Sequence, residues 1–163
     1  MTKTWITIVG SSPFAVINTA WAACRVEDYV PERVVLITNS QLKPGDVSTV
    51  RHWLGVMLKE YGIESPEFVE ISVEESDFSG IMGAFVKAIG EASQKGEVAI
   101  DMTPGRKYMS AIAMYSGILN DVDHIYYLHL LDNSYQNSPY SLIPLCKNRL
   151  SDIKNYHEAG VFK

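Results

Sequence analysis

The chain has 163 residues, with 14 lysines and arginines against 19 aspartates and glutamates, a formal charge of −5. Apolar residues make up 47% and charged residues 20%, the balance of a water-soluble globular protein with length for one domain, residues 1–163, and too little for two. The acidity argues against a broad DNA-binding surface while leaving room for one basic pocket that takes a small polyanion, and no apolar run approaches the roughly 20 residues of a membrane span.

Taken in order, the chain enters a strand pattern almost at once, with no signal peptide before it, so a cytoplasmic location is expected. Cys24 and Cys146 lie far apart among apolar neighbours and read as inert core thiols of a reducing compartment. Residues 5–9 (Trp-Ile-Thr-Ile-Val) form a first strand by their β-branched and aromatic content. Gly10-Ser11-Ser12-Pro13 follows, with Ser12 suited to cap a helix and Pro13 to open it. Phe14, Ile17, Trp21 and Cys24 then recur at helical spacing to about Arg25.

A second strand, residues 34–37, ends in Thr38-Asn39-Ser40. Residues 43–46 form a turn with Asp46 as capping acid, and a second helix runs from Val47 to a stop at Gly62. Residues 68–73 alternate as a third strand, and Asp77 caps a third helix that ends before Gly96. Residues 98–100 form a fourth strand, a helix runs from about Arg106 to Leu119, and residues 125–131 read as a buried fifth strand. The βαβαβαβαβ order predicts an α/β fold: a Rossmann-like open, mostly parallel sheet with helices on both faces. The polar loop 132–139 is too short for a crossover, so residues 140–145, with Pro144, are expected as an antiparallel edge strand. Residues 148–163 are expected to form a short helix and a loose end.

Right-handed crossovers in a Rossmann-like order set strands one and four side by side. Gly10-Ser11-Ser12-Pro13 and Thr103-Pro104-Gly105-Arg106-Lys107 then flank one crevice beyond the strand ends. Helix N-termini present unpaired N–H groups and a positive dipole end there, and Arg106 and Lys107 add two charges, so the natural guest is an anion. The dinucleotide fingerprint, the Walker loop and the hydrolase G-x-S-x-G elbow are absent, and the four histidines lack metal-ligand spacing. No cofactor and no metal are therefore expected. Asp101 reads as a strand-end acid that holds its loop by hydrogen bonds in preference to acting as a base. Trp21, Trp53, Met57 and Met109 read as core or interface.

Asp101-x-Thr103-x-Gly105-x-Lys107 resembles the D-x-T-x-G-x-K signature of CARF domains, the CRISPR-associated Rossmann fold. Gly10-Ser11-Ser12-Pro13 is similar to the strand-one turn of that family, and residues 138–144 resemble the late strand of its stand-alone members. Pro104 departs from the pattern, since a second glycine is common there. The resemblance implies binding of cyclic oligoadenylate second messengers of type III CRISPR defence. With no effector domain following, it implies a ring nuclease that cleaves cyclic tetra-adenylate and switches the response off. Ser11 and Lys107 match that family's active-site groups, and Arg106 stands beside them. Gly10, Ser12, Asp101, Thr103, Pro104 and Gly105 would line the phosphates, with Asn39, Ser40, Leu131 and Asp132 at the adenines. A non-catalytic sensor or sponge acting through a partner, and an unrelated Rossmann domain for another nucleotide, are the competing readings. The helix 106–119 is apolar nearly all round, which predicts a homodimer with the ring on its two-fold axis.

Overall fold

The computed structural model describes residues 1–158. Four β/α units and a fifth strand follow one another: β1 (Thr4–Ile8), α1 (Pro13–Val26), β2 (Arg33–Asn39), α2 (Pro44–Glu60), β3 (Glu67–Val73), α3 (Phe78–Ser93), β4 (Val98–Asp101), α4 (Lys107–Leu119) and β5 (His124–Leu130). Three single-turn 3₁₀ segments, Asn133–Tyr135, Tyr140–Leu142 and Leu145–Lys147, lead into β6 (Asn148–Asp152) and α5 (Ile153–Glu158). The sheet order is β3-β2-β1-β4-β5-β6, parallel throughout except for the last pair. This is the expected α/β Rossmann-like sheet, with β1 and β4 adjacent at its centre.

Alternation along each strand divides the core between two faces. Trp5, Val34, Leu36, Ala99 and Tyr126 pack with α1 and α2, whereas Ile6, Ile8, Val35, Ile37, Ile100 and Ile125 pack with α3 and α4. Trp5 stacks on Tyr126 with ring centroids 5.6 Å apart. Small residues bring α4 close to the sheet: a Cβ on Gly117 would lie 2.8 Å from Ile125 Cδ1. Its inner stripe is therefore Met109, Ala113, Ser116 and Gly117, all buried. No described helix is long and apolar enough to cross a membrane.

The edge strand differs from expectation. Residues 140–145 form no strand; they fall in 3₁₀ turns, and the antiparallel partner of β5 is Asn148–Asp152, with Leu130 opposite Asn148 and Tyr126 opposite Asp152. Pro139 and Pro144 lack the N–H groups a ladder needs. Tyr140 instead turns inward, buried with Ala22 and Leu128 and 6.0 Å from the Trp21 ring. β5 is half-buried, with Tyr127 and His129 exposed. Lys43, not Asp46, precedes α2, and Asp46 sits in its first turn. Trp53 and Cys146 are exposed, so neither belongs to the core. The short terminal helix is present, and the expected loose end lies outside the described residues.

Candidate functional site

Pairing of β1 with β4, Thr4 opposite Val98 through Thr7 opposite Asp101, sends both strands toward the same edge of the sheet. The turns that follow touch. A Cβ on Gly10 would stand 3.0 Å from the Gly105 amide nitrogen and 3.3 Å from its Cα, so any larger residue there would press on the Gly105 backbone. Gly105 itself has φ +91°, a left-handed conformation that favours glycine. The contact sets the N-termini of α1 and α4 beside one another. Neither helix has a side-chain cap or an acid in its first turn, although Ser12 and Arg106 occupy the cap positions. By contrast α3 is capped, its Gly80 N–H donating to Asp77 Oδ1 at 2.9 Å. Like α2, which carries Asp46 in its first turn, the two helices that meet have no side-chain cap, and their first-turn N–H groups face a ligand with no acid beside them.

Asp101 and Thr103 build the turn. The Thr103 N–H donates to Asp101 Oδ1 at 2.9 Å and the Thr7 hydroxyl to Asp101 Oδ2 at 3.1 Å. The Leu128 N–H donates to Thr103 Oγ1 at 2.9 Å, which binds the turn to β5. Asp101 is fully enclosed, and burial pushes its carboxyl up to about 7 against the lowering pull of these hydrogen bonds. Its role in the structure is to hold the loop.

Above the two turns lies a cleft of about 940 Å³. Gly10, Ser11, Ser12, Thr103, Pro104, Gly105 and Arg106 line it, as does Asn39 from the end of β2. A wall from the β5–β6 connection closes one side with Asn133, Tyr135, Gln136 and Ile143. Asn18 of α1 holds that wall, donating from Nδ2 to Ser138 O at 2.9 Å and accepting the Tyr140 N–H at 2.8 Å. Other expected site residues lie off the lining. Lys107 is exposed at the first position of α4. The Ser40 hydroxyl donates to Glu74 Oε2, and the Leu131 N–H donates to Lys147 O. Asp132 accepts from Ser134 N and Oγ and pairs with Lys147 at 3.4 Å.

The lining also holds residues that the sequence patterns left unmarked: Gln41, Glu75, Tyr127, His129 and the wall residues. Tyr127 and His129 had a weak signal, since two polar-tipped residues at alternate positions in an apolar run point to one uncovered face. Glu75 had none, because it comes from the β3–α3 loop. Its carboxylate Oε1 pairs with the Arg106 guanidinium Nε. Among the described residues, no three His, Cys, Asp or Glu side chains gather closely enough to hold a metal ion.

Neither a family model nor a curated protein matches the sequence. Solved structures match the fold. Csm6 from Enterococcus italicus, bound to cyclic hexa-2′-fluoro-hexa-dAMP, superposes with a TM-score of 0.62 at 17% identity, covering 98% of this chain and 44% of that one. Protein VC1899 from Vibrio cholerae gives 0.55 at 14% identity over 76% of this chain and 30% of its own. Can2 from Sulfobacillus thermosulfidooxidans, in complex with cyclic tetra-adenylate, gives 0.51 at 16% identity, covering 81% and 32%. The chain thus spans less than half the length of each. At these identities the likeness is one of fold: this chain shares with these structures its Rossmann-like, mostly parallel sheet.

Proposed function

We propose that this chain binds a cyclic oligoadenylate, cyclic tetra-adenylate in the first place, and cleaves it without a metal ion to linear di-adenylates with 2′,3′-cyclic phosphate ends. That activity would switch off type III CRISPR signalling. The observation that carries the reading is the approach of Gly10 to Gly105, which joins two uncapped helix N-termini, Ser11, Ser12 and the Thr103–Arg106 turn in one cleft. The ligands held by Can2 and Csm6 support the ligand class.

RNA carries its own nucleophile. A ribose 2′-oxygen held in line attacks the adjacent phosphorus and forms the cyclic phosphate. The bond to the 5′-oxygen breaks, and the proton lost by the 2′-hydroxyl is balanced by one gained at the leaving oxygen. Helix N–H groups, Arg106 and Lys107 would stabilise the charge that builds on the phosphorane, and Ser11 would orient the hydroxyl or a phosphate oxygen. Adenines would be read by the amides Asn39, Gln41, Asn133 and Gln136, which line the cleft, in preference to Ser40, Leu131 and Asp132, which lie off its lining. A second chain is part of this reading: a cyclic tetranucleotide can be two-fold symmetric, and on a dimer axis it would meet both copies of the turn.

A second reading is a sensor that binds the ring without cutting it. It is favoured by Lys107, which is exposed and off the cleft lining. Incubating purified protein with labelled cyclic tetra-adenylate in EDTA separates the two. The nuclease reading expects linear di-adenylates, with Ser11→Ala and Lys107→Ala slowing turnover roughly 100-fold or more while affinity changes less than tenfold. A ring that binds and is recovered intact supports the sensor. A ring that does not bind, or cleavage that stops in EDTA, contradicts the proposal.

A further inference from the structure

Among the described residues, Arg106 is the only lysine or arginine on the cleft lining and Glu75 the only aspartate or glutamate. The two are paired, so the cleft meets a ligand with no net charge from its fixed ions. The pairing is built in from two directions. Arg106 occupies the N-cap position of α4, and two residues on the Tyr108 hydroxyl donates to the backbone carbonyl of Glu75 itself at 2.6 Å. The Tyr108 ring packs on Phe78, with centroids 4.7 Å apart, which fixes the β3–α3 loop against α4. Gln41, Glu75 and Arg106 also line a neighbouring hollow of about 450 Å³, so the ion pair stands as the partition between two cavities. The guanidinium side chain is 69% exposed and that of Glu75 25%. An exposed pair of this kind is weak enough for a phosphate to displace.

We propose that Glu75 is an internal competitor for the phosphate: it occupies Arg106 in the empty cleft and is displaced by the anion that binds there. This sets the affinity of the site below what its cation and helix ends would give alone. It also speeds release of an anionic product, because the carboxylate returns to Arg106 as the phosphate leaves. The inference rests on the anion-binding reading of the cleft and does not require the ring to be cut.

The test is equilibrium binding of two probes, cyclic tetra-adenylate and inorganic pyrophosphate, in EDTA at low salt. The proteins are wild type, Glu75→Gln, Arg106→Ala and the double variant. Glu75→Gln keeps the shape of the side chain and removes its charge. It is expected to tighten both probes roughly threefold to tenfold, with the gain shrinking at high salt and vanishing in the Arg106→Ala background. If the wild type binds the ring and Glu75→Gln binds it no tighter, the competitor is overturned while the ligand reading stands. If pyrophosphate alone binds, and binds tighter to Glu75→Gln, the competitor stands and the cyclic ligand falls. A gain that persists without Arg106, or no binding of either probe by any variant, overturns the inference.

Discussion

At Asp101 burial and hydrogen bonding pull in opposite directions. The Thr103 N–H and the Thr7 hydroxyl favour the carboxylate, but full enclosure outweighs them and raises the carboxyl from 3.8 to about 7. The folded chain therefore holds a proton that the unfolded chain has released, and the stability this group contributes is complete below 3.8 and lost as pH rises through about 7. Asp101→Asn keeps an oxygen to accept the Thr103 N–H and cannot ionise. In urea unfolding at about pH 5 and about pH 8, the variant should gain on the wild type at the higher pH. A difference between the two proteins that stays constant across that range contradicts the account. The loop-holding role of Asp101 was legible in the sequence because its partner, Thr103, is two residues away. Ser40, expected at the ligand, gives its hydroxyl to Glu74 instead, a partner 34 residues away that no local pattern announces.

Among the elements, helices and parallel strands declared themselves by period, and β6 did not. Asn148-Arg149-Leu150-Ser151-Asp152 is mostly polar, as an edge strand that must not recruit another chain should be, so it shows no apolar alternation. What fixes it is a side-chain clasp. His124, at the start of β5, has Asp152 Oδ2 at 2.8 Å from Nδ1 and Glu97 Oε1 at 2.8 Å from Nε2, with Tyr126 stacked 5.3 Å away. Asp152 Oδ1 accepts the Ile125 and Lys154 N–H groups, so the same carboxylate joins β6, β5 and α5. Two carboxylate neighbours require both ring nitrogens to donate, which is the imidazolium. The bond to Asp152, then that to Glu97, accordingly raise the histidine above its ordinary 6.5 against the lowering effect of burial. A raised histidine contributes stability that is whole below 6.5 and lost as pH climbs through the higher folded value. Hydrogen-exchange protection of β6 and α5 should weaken over that interval. In His124→Gln it should be weak at every pH, by about 1–3 kcal/mol at the acidic end. Protection in the wild type that does not change with pH would contradict the clasp.

For the molecule as a whole, the neighbouring of β1 and β4, and with it the meeting of the two turns, was expected by analogy with a Rossmann-like order, whereas the wall over the cleft was not, because proline turns and a single asparagine, Asn18, hold it. The outer side of α4 also remains uncovered by the described residues. Tyr115 is 54% exposed, Ile118 38% and Leu119 62%, and no charged residue follows Lys107 on the helix. These residues lie on the last two turns of α4, and an apolar patch with no partner on its own sheet fits an isologous contact. Light scattering at micromolar concentration is expected to give twice the chain mass, and Tyr115→Glu with Leu119→Glu to give the monomer. A wild type that stays monomeric with and without ligand removes the shared site. The most direct test of the central claim, that the cleft is a cyclic oligoadenylate site, is calorimetric titration of cyclic tetra-adenylate into Lys107→Ala, the variant expected to bind the ring without consuming it. The account predicts saturation at one ring per two chains, with cyclic tetra-uridylate binding far more weakly. Absence of binding, or equal affinity for the two rings, would contradict it.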